Sequence, residues 1–301
     1  MRQITLKTTA LTKKYGKRVI IDSIDMTIQK GDIYGLIGRN GAGKTTFMRT
    51  CLGMANATSG EISFFGGENI NKARKKVGAL IENPAFYDNF SAKKNLELFA
   101  TAFGADKTEV AQVLDYVELT EAANRKVKTY SLGMKQRLAI AIALLGKPEF
   151  LVLDEPINGL DPEGIKNIRD MILKLNQENG ITFLISSHLL DELGRIATRY
   201  GIIEGGKLIE ELSAEELEEK CRKKIIIEVD NKEKAVDVIK NIVDEADIRV
   251  KEDSIQIHEN VEKIAEINKA LVSNDIYVYM LYPKNQNLEN YFMERIGVGN
   301  V

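Results

Sequence analysis

Two short stretches of this 301-residue chain combine residue types that handle phosphate. The first is Gly38-Arg39-Asn40-Gly41-Ala42-Gly43-Lys44-Thr45, which has the spacing G-x-x-x-x-G-K-[ST]. Glycines there let backbone N–H groups close on a polyphosphate with no Cβ in the way. Lys44 can reach the β- and γ-phosphates, and the Thr45 hydroxyl can ligate Mg²⁺; Thr46 follows and is counted with the phosphate-binding set. A helix starting at this point aims its positive dipole end at the phosphates. The second stretch is the apolar run Phe150-Leu151-Val152-Leu153, ending in Asp154-Glu155. Asp154 is placed to hold Mg²⁺, directly or through water, and Glu155 to orient or deprotonate an attacking water. A glycine-rich turn or an acidic strand end is ordinary alone; together, in this order, they read as two halves of one Mg²⁺-nucleotide site.

The elements that must position these groups are legible in the hydrophobic pattern. Ile33–Ile37, Phe150–Leu153 and Ile181–Ile185 are short apolar runs separated by helical patterns, as in a largely parallel sheet covered on both faces. A helix is expected from Lys44 to about Met54. Residues 2–9, 19–28 and 60–65 read as more exposed strands, an antiparallel part at one side, and residues 92–130 as a helical insertion. After Leu212 the composition shifts. A helix start at Ser213-Ala214-Glu215-Glu216 leads into a βαββαβ order: strands at 225–229, 247–251, 254–258 and 276–281, helices at 232–243 and 260–272. The expected boundaries are 1–215 for a nucleotide-binding domain, with its helical insertion at about 88–145, and 222–301 for a small ferredoxin-like α+β domain.

Composition narrows the class. Hydrophobic residues are 44% and charged residues 29%, ordinary for a soluble globular chain. A net charge of −2 gives no general attraction to nucleic acid, and none is expected as a partner. Two cysteines, Cys51 and Cys221, form no disulfide framework. No signal peptide is expected, and the longest apolar stretch, Leu138–Leu145, falls far short of the roughly 20 residues that span a bilayer. Work at a membrane would therefore go through another chain. His258 reads as a polar surface residue.

The region from Ser131 to Asp161 makes a family resemblance specific, and His188 adds to it. Ser131-Leu132-Gly133-Met134-Lys135-Gln136-Arg137 resembles a variant of the ABC signature, Asn158-Gly159-Leu160-Asp161-Pro162 its D-loop, and Ser186-Ser187-His188 the strand end that carries the family's switch histidine. Tyr15 stands before the second strand, where the family stacks an aromatic ring on adenine. The resemblance covers about residues 2–215. It implies a P-loop NTPase fold of ABC type, ATP and Mg²⁺ as ligands, and a head-to-tail dimer. In that dimer Ser131 and Gly133 would meet nucleotide held by the other copy, Asp161 of the D-loop would join the nucleotide-binding set, and His188 would meet the γ-phosphate. It further implies membrane permease subunits as partners and a peripheral place on the cytoplasmic face of the cell membrane.

Two departures stand out. Leu132 and Met134 replace a glycine and a glutamine of the usual signature. In Ala79-Leu80-Ile81-Glu82-Asn83-Pro84, Glu82 stands where the family has glutamine. A carboxylate binds Mg²⁺ more strongly than an amide but is repelled by phosphate unless compensated. With the signature variant, Glu82 resembles the ATP-binding subunits of bacterial transporters for bacitracin resistance and lantibiotic immunity, which implies removal of a peptide antibiotic or drug. The other readings are a soluble ABC ATPase acting in cofactor assembly or on nucleic acid, and a P-loop binding module outside the family.

Overall fold

The computed structural model describes residues 3–82, 86–258, 260–284 and 288–296. Contacts divide the chain into two compact units, Met1–Ala214 and Glu215–Val301.

In the first unit, β1 (Ile4–Tyr15) pairs antiparallel with β2 (Arg18–Gln29), β3 (Ile33–Ile37) leads through the phosphate loop into α1 (Lys44–Cys51), and β4 (Ser59–Phe64) returns to pair with β1. Strand β1 continues well past residue 9, the end the exposure pattern suggested. Its polar run Thr12-Lys13-Lys14 is held in the sheet by pairing with β2 through several bulges. The sheet order is β2-β1-β4.

The chain continues through α2 (Ile70–Arg74), β5 (Val77–Leu80), the helices α3 (Ala92–Phe103), α4 (Glu109–Tyr116) and α5 (Leu132–Leu144), β6 (Phe150–Asp154), α6 (Pro162–Asn179), β7 (Thr182–Ser187), α7 (Leu190–Gly194), β8 (Arg199–Glu204) and β9 (Lys207–Ser213). Strands β5-β6-β7-β3-β8-β9 form one sheet, parallel except for β9 at its edge. All five residues of β3 and of β6 are buried, which explains their unbroken apolar runs. The helices start where side chains can cap them: Ser91 accepts from the Lys94 amide, Ser131 from Met134 and Asp161 from Gly164. Leu138–Leu144 of α5 is buried on every side, so this stretch is helix core and not a surface.

The second unit opens with α8 (Ala214–Cys221) and runs β10 (Lys224–Val229), α9 (Lys232–Ile239), β11 (Ile248–Val250), β12 (Ile255–His258), α10 (Ile264–Ser273), β13 (Val278–Lys284) and α11 (Leu288–Arg295). Its four strands are all antiparallel, in the order β11-β12-β10-β13. This is the ferredoxin-like arrangement. Ile225, Ile227, Ile255 and Ile257 cover one sheet face and bury against Ala235, Ile239, Ile267 and Leu271 of α9 and α10.

Candidate nucleotide site

The sheet register decides which groups meet. Strand β7 lies between β3 and β6, with Ser186 opposite both Leu36 and Asp154. The phosphate loop leaves β3 just beyond Leu36, so the loop, Asp154-Glu155 and Ser186-Ser187-His188 emerge side by side at the carboxyl ends of three adjacent strands. Open α/β sheets bind ligands at such ends.

The loop geometry follows from its glycines. Gly43 holds φ +112, and a Cβ there would stand 2.9 Å from Ile21 Cδ1 and 3.0 Å from the Ile20 carbonyl. A Cβ on Gly38 would stand 2.6 Å from the carbonyl oxygen of Ile203. No larger residue fits either place without backbone movement. The Lys44 ammonium, 6% exposed, donates to the carbonyl of Gly38 at 2.6 Å and lies 3.2 Å from Glu155 Oε1.

Thr45 donates its hydroxyl to Asp154 Oδ2 at 2.7 Å, and Ser186 donates to Oδ1 at 2.5 Å. Ser186 Oγ in turn accepts the Glu155 amide at 2.9 Å. Asp154 is thus buried with both oxygens satisfied. Glu155 Oε2 lies 2.8 Å from His188 Nδ1. Glu155 also turns the chain out of β6 with φ +49, a left-handed backbone that costs a non-glycine residue energy and concentrates at functional sites. Lys44, Thr45, Asp154, Glu155 and His188 form one connected network. Ser186 is its hub, and reading the sequence alone gave it no role: only the β6–β7 register puts it beside Asp154.

The oxygens suit Mg²⁺. Among the described residues no group of three His, Cys, Asp or Glu side chains could hold a metal alone. Thr45 Oγ1 and Asp154 Oδ2 are two hard donors side by side. Mg²⁺ is commonly held in this way, by one or two protein oxygens completed by substrate phosphates.

Glu82 goes elsewhere. It follows β5 at the same register at which Glu155 follows β6, since Leu80 pairs with Leu153, and it too is left-handed, at φ +60. Its carboxylate, however, lies 2.6 Å from the Arg49 guanidinium on α1. The Arg49 guanidinium thus compensates the Glu82 carboxylate. Asn83–Ala85, the rest of that junction, lie outside the described residues. Beyond them Tyr87 and Phe90 stack with centroids 5.6 Å apart, both exposed. The buried Asn95 side chain holds the backbone of Tyr87 at both its amide and carbonyl.

Ser131, Gly133 and Asp161 are not part of the network. They line a separate open concavity of about 500 Å³ with Leu132, Arg137 and Asn167. Leu132, the departure from the signature, is more than half exposed, and its Cδ2 lies 3.4 Å from where a Cβ on Gly159 would stand. Tyr15 is also half exposed, with the Lys13 ammonium 4.6 Å from its ring centre.

The chain is similar to known proteins of one family. The family model described as ABC transporter matches residues 21–158. A bacitracin transport ATP-binding protein, BcrA of Enterococcus faecalis, is 40% identical over 99% of this chain and 98% of its own. A lantibiotic transport ATP-binding protein, SrtF of Streptococcus pyogenes, is 44% identical over 74% of this chain and 98% of its own. Among solved structures, a dimeric ATP-binding cassette in a post-hydrolysis state bound to ADP and Pi superposes with a TM-score of 0.61 at 24% identity, covering 69% of this chain and 98% of that one. Identity of 40% across nearly the whole length, over a network built for Mg²⁺-nucleotide chemistry, places the chain in the ABC transporter family as an ATP-binding and ATP-hydrolysing subunit.

Proposed function

We propose that this subunit powers separate membrane permease subunits that remove a peptide antibiotic or drug, from a peripheral position on the cytoplasmic face of the cell membrane. No helix among the described residues is long and apolar enough to cross a membrane, and this reading gives the transport path to other chains. The relatives named for bacitracin and lantibiotic transport, matched over most of their lengths, support the substrate class.

The observation that carries the mechanism is the Lys44–Glu155–His188 chain. In the structure Lys44 is shared between a loop carbonyl and Glu155. An arriving triphosphate competes for that ammonium, and Lys44 exchanges Glu155 for the β- and γ-phosphates. Glu155, released on one side and held by His188 on the other, becomes the general base for the attacking water. His188 faces the γ-phosphate. Thr45 and Asp154 would hold Mg²⁺, which would supply positive charge against that developing on the phosphate oxygens. The backbone amides of residues 38–46 cradle the phosphates, and Tyr15 stacks on the adenine.

Ser131 and Gly133, which line the separate concavity with Asp161, serve the nucleotide of a second copy in this reading. ATP then stabilises the closed dimer because both copies ligate it, and hydrolysis removes that bridge. The Arg49–Glu82 pair links α1, which begins at Lys44, to the junction that leads to Tyr87 and Phe90, and the permease is driven through this junction. As a Mg²⁺ ligand Glu82 would share its carboxylate with Arg49. The test is recovery of the chain from native membranes in mild detergent with ATP. A co-purifying polytopic permease is the expected result; soluble proteins or nucleic acid alone, with ATPase activity retained, would replace the transporter reading with a soluble ATPase.

A further inference from the structure

The second unit buries a histidine with no hydrogen-bond partner among the described residues. His258, expected at the surface, is 6% exposed, and neither ring nitrogen finds such a partner there. A buried polar side chain left in that state costs stability unless something else satisfies it.

Its neighbours indicate what that is. His258 on β12 stands directly opposite Lys224 on β10, and Lys224 stands directly opposite Lys284 on β13. Directly paired residues project from the same face, with Cβ atoms about 4.5–5.5 Å apart. The three therefore form a row across three strands, on the face opposite the α9 and α10 core. Arg249 on β11 pairs with Gln256, which shares the face with His258, so all four strands contribute a basic or imidazole group to one surface. Helix α8 flanks it with Glu219, 3.0 Å from Arg249 and 3.6 Å from Arg222. Helix α11 flanks it with Glu294, 3.6 Å from Lys284. No described carboxylate ion-pairs with Lys224, although Glu219 and Glu294 are near enough to act on its charge. Like charges directly opposite one another destabilise a sheet. Burial and the nearby Lys284 and Lys251 push the Lys224 ammonium down from its usual range, against the pull of Glu219 and Glu294.

We infer that this face of the C-terminal sheet is a phosphate-group binding site, in which His258 donates a ring N–H and Lys224 an ammonium N–H to the anion, with Lys284 and Arg249 at its sides. A tetrahedral anion suits the site because its oxygens point in several directions and the donors come from four strands. The phosphate is either free, as inorganic phosphate or a phosphorylated small molecule, or the headgroup of an anionic lipid.

The chain has only two histidines, so imidazole NMR signals of the full-length protein number two, assigned with His188→Gln. Saturable movement of the His258 signal on adding inorganic phosphate, with its titration midpoint raised by roughly one pH unit, is expected for a free-phosphate site. Movement only with vesicles containing phosphatidic acid, and not with neutral vesicles, assigns the site to a headgroup. Either response should be lost in Lys224→Met, with Arg249→Gln as the second variant if the first does not fold. Movement of His188 alone would mean that phosphate binds only at the nucleotide loop. That result, an unmoved His258 under both additions, or an unchanged response in the variants, overturns the site.

Discussion

The two units handle buried charge in opposite ways. In the cassette unit, Lys44 and Asp154 are almost fully buried, and each has its partners among residues of its own strand ends. In the C-terminal unit His258 is as deeply buried, yet neither nitrogen has a hydrogen-bond partner among the described residues and its neighbours are mostly of one sign. The first unit is organised around a self-satisfied polar network, so a ligand must displace an existing bond. The second is organised around an isoleucine layer, with its polar face incomplete. A pre-paired site can switch between two states; an unpaired one gains from being filled.

The sharpest way to break that contrast is Glu155→Gln. It should lower steady-state phosphate release by roughly 10³-fold while ATP binding persists, as for loss of a general base; a near-normal rate removes Glu155 from that role. Next is Ile227→Ala, which empties part of the C-terminal core and should cost about 2–5 kcal/mol. Native-state hydrogen exchange should show the loss confined to residues beyond Glu215; equal loss of protection at β3 and β6 would mean the two units unfold as one.

Ser186→Ala tests the hub of the network. Removing a partner of a metal-holding carboxylate should cost about 10–100-fold in activity or in the Mg²⁺ concentration needed, read from Mg²⁺ titrations of turnover. An unchanged Mg²⁺ dependence would show that Asp154 is oriented without it.

The smallest effect belongs to His258. Burial first, then Arg249 with Lys224 and Arg222, against Glu219, push its titration below the ordinary 6.5. The unfolded chain therefore takes up the proton first on acidification. The stability contribution is complete above pH 6.5 and falls as pH drops from there towards the depressed folded value. Denaturation midpoints should decline over that interval in the wild type and lose that component in His258→Gln; parallel curves would place the titrating group elsewhere.

Much of the nucleotide site was legible because its chemistry is local in the chain. The phosphate loop is one continuous segment whose glycines and lysine are fixed by what a polyphosphate requires, and Asp154-Glu155 ends a strand whose five buried residues leave an unbroken apolar run. Strand β1 was read short because its polar second half, paired through bulges, breaks the alternation that exposes a strand to sequence reading. Of the two strands that follow β7, β9 escaped for a related reason: at the sheet edge its run Lys207-Leu208-Ile209-Glu210-Glu211-Leu212-Ser213 keeps no strict alternation.

The sequence alone determined the phosphate chemistry, the alternation of strands and helices, and the shift to a βαββαβ unit after Leu212, because loop composition and hydrophobic period are properties of neighbouring residues. Only the tertiary structure decided that Ser186 joins Asp154 to Glu155, that Glu82 pairs with Arg49, and that His258 is buried opposite Lys224. Those outcomes depend on strand order and register. These bring together residues distant in the chain, and no local pattern records them.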